Sequence, residues 1–158
     1  MSSGGLVTGL APLHSKNDGI WIAHPGENPS PATLKELENR RLVPVEVPGR
    51  EYRSYYEGYS NSALWPLFHY FVERCEFDPA QFEAYRSVNE RFADEVAKVA
   101  QPGDLIWVHD YQLMLLPEML RPRIPGARIG FFLHIPLPSS ETFRALPQRT
   151  QILRGLLR

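Results

Sequence analysis

Two short apolar runs, each closed by a histidine, constrain this chain more than anything else in it. The first is Asp104-Leu-Ile-Trp-Val-His-Asp110, bounded by Pro102-Gly103 on one side and by polar groups on the other. Its length and its β-branched and aromatic content read as a buried strand rather than a helical turn. The second, Arg128-Ile-Gly-Phe-Phe-Leu-His134, has the same character. Enough chain separates them for a helical crossover, which makes a βαβ unit with parallel strands. In open α/β sheets ligands sit beyond the carboxyl ends of such strands, so Asp110 and His134 are expected to face one crevice.

The helix leading into this unit is marked at both ends. Asp78 is a favoured N-cap, Pro79 fits the first helical position, and Gln101-Pro-Gly103 stops a helix predicted over 79–100. Phe82, Tyr85, Val88, Phe92, Val96 and Val99 recur at three- and four-residue spacing and form its core face. Glu83, Arg86, Glu90, Arg91, Asp94 and Lys98 lie mainly elsewhere, as a solvated face. The crossover helix is expected to start near Leu116, with Pro117 in its first turn and Pro122 and Pro125-Gly126 closing it. After His134, a serine of the loop Ile135–Ser140 is expected to cap a helix through Glu141–Leu146, and Gln151–Arg158 is a final apolar stretch.

Earlier in the chain, Gly19-Ile-Trp-Ile-Ala-His24 alternates as a strand ended by Pro25-Gly26, with His24 a polar strand end. Residues 27–40 are polar, with a surface helical turn or two around Thr33–Glu38. Arg41–Val47 is extended, and Pro44 demotes it to an edge strand. The opening Gly4-Gly5-Leu-Val-Thr-Gly-Leu-Ala looks like a glycine turn entering an amphipathic helix, a geometry that brings backbone N–H groups close to an anion. From spacing alone it reads as a flexible tail, because no strand precedes the glycines.

A chain of 158 residues with 43% hydrophobic and 22% charged residues suits one soluble globular domain. A formal net charge of −1 argues against a nucleic-acid partner or a membrane-surface role, and no run is apolar enough to serve as a signal peptide or membrane span. The single Cys75 cannot form an internal disulfide, so a cytoplasmic setting is the expectation. There is no internal repeat.

Chemistry concentrates in two places. The stretch Glu51–Phe71 mixes tyrosines, Trp65 and phenylalanines with hydroxyl and amide groups. That mixture suits sugars, whose C–H faces rest on rings while their hydroxyls need partners, and it suits a structural aromatic cluster equally. At the strand ends, Asp110 can accept from a sugar hydroxyl, assist its deprotonation, or cap the following turn. His134 can donate to a ligand, bind a metal, or be held in its loop. Metal is the weakest of these, because His109 and Asp110 point to opposite faces and no cluster has metal spacing. No Gly-x-Ser-x-Gly elbow offers a nucleophile, and Cys75 lacks an activating partner.

Three long motifs, Tyr55-Tyr-Glu-Gly-Tyr-Ser-Asn-Ser-Ala-Leu-Trp-Pro66, Trp107-Val-His-Asp-Tyr-Gln-Leu-Met-Leu-Leu-Pro117 and Gly130-Phe-Phe-Leu-His-Ile-Pro-Leu-Pro-Ser139, closely resemble the trehalose-6-phosphate synthase family, glycosyltransferase family 20. The resemblance covers nearly the whole chain and is densest over 52–146. It implies a Rossmann-like three-layer α/β sandwich with a mostly parallel sheet, the incomplete N-terminal, acceptor-side half of a GT-B enzyme. The implied reaction is retaining, metal-independent glucosyl transfer from UDP-glucose to glucose 6-phosphate, in trehalose biosynthesis, without a cofactor. By this resemblance Gly4 and Gly5 form the loop at the donor diphosphate, which reverses the tail reading. Tyr56, Trp65 and Asp110 match acceptor-binding positions and His134 contacts the donor sugar, with Asp110 and His134 the catalytic pair. Implied partners are a sugar phosphate and a nucleotide sugar.

Three departures from the family pattern bear on activity. The first strand with its Arg before the glycine loop is missing, and so is the nucleotide-sugar domain with its Arg/Lys pair. Ala23-His24 stands where the family usually has Gly-Trp. The expectation is therefore a single partial domain over 1–158 with little activity by itself, paired with a separately encoded C-terminal domain. Glucosylglycerol-phosphate synthase, which uses glycerol 3-phosphate, and a non-catalytic sugar-phosphate-binding module are the alternatives.

Overall fold

The computed structural model describes residues 9, 10, 12, 14, 16, 19–26, 29–39 and 41–157. The chain divides into two compact units, residues 1–46 and 47–158.

In the first unit, strand β1 (Trp21–Ala23) and strand β2 (Leu42–Pro44) pair in parallel, with Trp21 opposite Leu42 and Ala23 opposite Pro44. Helix α1 (Pro31–Asn39) connects them. Ser30 caps it, its Oγ accepting the Thr33 N–H at 3.1 Å, and Pro31 follows at the first position, where its missing N–H costs nothing. Pro44 ends β2 rather than interrupting it. The ladder continues one residue later, where Val45 N–H donates to Ala23 O at 2.9 Å. His24 is fixed at the strand end by its Nδ1, which donates to Val45 O at 3.0 Å.

The second unit is built on helix α4 (Pro79–Val99), preceded by a helical run in three parts. These are α2 (Gly49–Tyr52), a π-helical segment (Arg53–Leu64) and α3 (Trp65–Phe68). At Gly58 the backbone leaves helical geometry, with φ −73° and ψ −106°. A Cβ there would lie 2.8 Å from Gln81 Cδ, the end of a flexible side chain of α4.

Asp78 caps α4 as expected, accepting the Ala80 N–H at 2.8 Å, with Pro79 in the first turn. The buried face of α4 holds Phe82, Tyr85, Val88, Phe92 and Val96 as predicted, and also Asn89 and Ala93. Val99, predicted to belong to it, is only half-buried because it occupies the last turn. Burying side chains of this size contributes roughly 1.5–3 kcal/mol each. The aromatic stretch divides by helical parity. Tyr55 and Tyr59 turn inward against Tyr85, with ring centroids 5.8 and 4.9 Å away, while Tyr52 and Tyr56 stack on each other in half-exposed positions.

Strands β3 (Leu105–His109) and β4 (Arg128–Phe132) are parallel and in register, with Trp107 opposite Gly130 and His109 opposite Phe132. Between them lie a 3₁₀ turn (Tyr111–Leu113) and helix α5 (Leu116–Arg123), the crossover the sequence predicts. Pro117 sits in its first turn. Pro122 lies inside the helix rather than closing it, since a helix this short loses only one end bond to it. Helices α6 (Ser140–Phe143) and α7 (Arg149–Leu157) complete the unit, with Ser139 capping α6.

The α/β class with parallel strands is as expected; among the described residues the strands form two separate two-stranded sheets. The expectation that β3 is buried is corrected. Val108 is buried, but Leu105 and Trp107 are 66% and 49% exposed, and Phe132 of β4 is 49% exposed. One face of this sheet is covered and the other is open.

Candidate functional site

The site lies at the carboxyl ends of β3 and β4. The ladder runs one residue past β3, where Asp110 N–H donates to Phe132 O at 2.8 Å. Asp110 itself adopts φ 73°, ψ 169°, a region almost reserved for glycine, and such a conformation costs about 1–3 kcal/mol. Its surroundings hold it there. The carboxylate Oδ1 accepts the Tyr111 N–H at 2.9 Å and the His134 N–H at 3.3 Å, and the Asp110 carbonyl accepts the Leu113 N–H at 3.2 Å.

Helix α4 clamps the turn that follows. The fully buried Tyr85 hydroxyl donates to Tyr111 O at 2.7 Å and accepts the Met114 N–H at 3.0 Å. Asn89 Nδ2 donates to Gln112 O at 3.0 Å and to Tyr85 O at 2.9 Å. Burial holds the Tyr85 phenol well above its ordinary pKa, so it remains a protonated donor. The Tyr111 phenol is raised by burial and then by the nearby Tyr56 and Asp110, and it donates to Asn61 Oδ1 at 2.8 Å. That bond ties the strand end to the aromatic segment.

The Asp110 carboxylate thus meets the His134 main chain at the strand ends, and it caps its own turn while doing so. Tyr56 stacks on Tyr52 and is one of the neighbours that raise the Tyr111 phenol. Trp65 is 40% exposed, its ring stacked on His69 at 4.1 Å and lying 6.3 Å from Phe71. His69 Nδ1 donates to Trp65 O at 2.7 Å and so sets that stack. No hydrogen bond or ring contact joins Trp65 to Asp110 or His134 among the described residues. Gly4 and Gly5 lie outside the described residues.

Sequence reasoning missed His109 and Asn61. His109 Nδ1 lies 3.0 Å from His134 Nε2, with Trp107 and Phe132 around the pair. The signal was present in the alternation of 107 and 109 on one strand and 132 and 134 on the other, once the strands are taken in register. His109 is held below the ordinary imidazole range by burial and next by His134, against a smaller opposing pull from Asp110. Among the described residues no group of three or more His, Cys, Asp or Glu side chains could hold a metal ion, and no helix is long and apolar enough to cross a membrane.

The ends of two parallel strands, where a strained carboxylate meets the main chain of a histidine, are the place where open α/β sheets bind their ligands. The family model for glycosyltransferase family 20 matches residues 1–158, and the chain belongs to that family. It is 46% identical to the UDP-forming alpha,alpha-trehalose-phosphate synthase of Yarrowia lipolytica, over 99% of this chain and 36% of the relative. Among solved structures it is 32% identical to the Burkholderia xenovorans synthase in complex with glucose-6-phosphate, covering 98% of this chain and 35% of that one, with a TM-score of 0.82. An Escherichia coli structure bound with UDP-2-fluoro glucose is 31% identical over 99% of this chain and 35% of its own, with a TM-score of 0.81. The chain spans about a third of the length of these relatives.

Proposed function

We propose that this chain is the acceptor-side part of an enzyme that transfers glucose from UDP-glucose to glucose 6-phosphate, giving trehalose 6-phosphate and UDP. The observation that carries the reading is the junction of the two strand ends, where the Asp110 carboxylate accepts the His134 N–H. The relatives named above as UDP-forming synthases, one of them solved with glucose-6-phosphate, support the choice of substrates.

In this reading Asp110 accepts a hydrogen bond from an acceptor hydroxyl, with Tyr56 and Trp65 completing the acceptor pocket. His134 contacts the donor sugar. Transfer retains configuration and uses no metal. The acceptor hydroxyl oxygen bonds to the glucose anomeric carbon as the bond to the UDP oxygen breaks, and its proton passes to the departing phosphate on the same face. The protein's part is alignment, which can supply about 7–11 kcal/mol of the barrier. Stabilising the charge that grows on the leaving group supplies more.

The test is thermal unfolding of the chain with each ligand. A ligand at about one hundred times its dissociation constant adds about 2.7 kcal/mol to the folded state. Glucose 6-phosphate is expected to stabilise the wild type and to lose this effect with Asp110→Ala, with Asp110→Asn intermediate because its amide oxygen can still accept the Tyr111 and His134 N–H groups. Stabilisation by glycerol 3-phosphate instead assigns the chain to a glucosylglycerol-phosphate synthase, and a response to neither phosphate refutes the acceptor assignment.

A further inference from the structure

The two imidazoles at the strand ends form a matched pair. Their rings are nearly stacked, with centroids 5.3 Å apart and planes at 28°, and His109 Nδ1 meets His134 Nε2 at 3.0 Å. At that separation one nitrogen brings the proton and the other brings a lone pair. Two arrangements satisfy this. In one, both rings are protonated on Nε2, the more stable tautomer of a neutral histidine side chain; in the other, both carry the proton on Nδ1. Both leave each ring neutral, and in both His109 packs against Trp107, with ring centroids 4.5 Å apart.

We propose that His109 is a positioning residue whose Nδ1 lone pair holds the Nε2–H of His134, leaving His134 Nδ1 as an acceptor aimed at a sugar hydroxyl of the donor. This rests on the reading of His134 as a donor-sugar contact. His134 is exposed, and no described residue bonds to its Nδ1. Its main chain is anchored independently, through the N–H given to Asp110. Ring orientation is therefore the remaining freedom, and His109 removes it, as the partner of one ring nitrogen decides what the other can do. A bare Nδ1 accepts from a hydroxyl and repels a phosphate oxygen, so the pair selects the sugar end of a nucleotide sugar over its diphosphate. The titratable groups bearing on His109 are His134 and Asp110. Protonation of the pair converts Nδ1 of His134 into a donor and reverses that selection.

The experiment is two-bond proton–nitrogen NMR of the ring-labelled chain, with UDP-glucose titrated against the wild type, His109→Phe and His109→Asn. In the free wild type both rings are expected as Nε2–H tautomers. His109→Phe keeps a ring against Trp107 but removes the acceptor, so His134 should relax to a tautomer mixture. Its affinity for UDP-glucose should fall about tenfold, the size of one lost hydrogen bond, while glucose 6-phosphate affinity stays unchanged. His109→Asn, whose amide oxygen stands near the Nδ1 position, should restore both. A His134 tautomer indifferent to His109→Phe, or one dominated by Nδ1–H, overturns the proposal. If the wild type shows no binding of UDP-glucose, the tautomers of the free chain still decide the pairing.

Discussion

Tyr85 touches no proposed ligand, yet the geometry makes it the residue on which Asp110 depends. Its hydroxyl bridges Tyr111 O and Met114 N, and Tyr85 and Met114 are fully buried. Tyr85→Phe preserves the ring and its packing on Tyr59 and deletes only that oxygen. With Tyr85 and Met114 both fully buried, a carbonyl and an N–H are left without partners. At about 1–3 kcal/mol for each buried orphan, with some relaxation, the expected loss is about 2–4 kcal/mol. With a urea dependence of about 1–3 kcal/mol per molar, the unfolding midpoint should fall by about 1–2 M. The local readout is sharper, because the Met114 amide should lose at least about tenfold of its hydrogen-exchange protection. Since the same turn holds the strained Asp110, affinity for glucose 6-phosphate should fall as well. A variant within about 0.5 kcal/mol of the wild type, with Met114 still protected, refutes the claim that α4 positions the strand end.

Gly155 of α7 faces the backbone of the same turn, where an added Cβ would lie 2.3 Å from Met114 O and 2.8 Å from Leu115 Cα. Neither neighbour is a flexible side-chain end, so Gly155→Ala should cost about 3 kcal/mol, the upper part of the overpacking range, and unchanged thermal unfolding would contradict this packing. The pH dependence follows from His109, whose imidazole lies below its ordinary value of 6.5 in the folded chain. The unfolded state then binds more protons between the two values, so stability is full above about pH 6.5 and falls as pH drops from there toward the lowered value, with no further loss from this group beneath it. Urea unfolding at several pH values should show this slope in the wild type and less of it in His109→Phe; equal slopes exclude His109 as the source.

Much of this architecture is written in local signals. Asp78-Pro79 and Pro102-Gly103 bracket α4 because caps and stops act within one turn, and the apolar runs ending at His109 and His134 are strands because a crossover of that length permits parallel pairing. The family motifs likewise point to Asp110 and His134 without coordinates. Three features needed the tertiary structure. Strand alternation alone would set Asp110 and His109 on opposite faces; the positive φ of Asp110, maintained by Tyr85 and Asn89 from a distant helix, turns the carboxylate toward the His134 backbone. The His109–His134 pair depends on the register of two strands, which no local pattern encodes. The exposure of Trp107 depends on what covers the sheet. Periodicity and capping are properties of neighbouring residues, whereas strain and register are imposed by groups far apart in the chain, and here those groups shape the site.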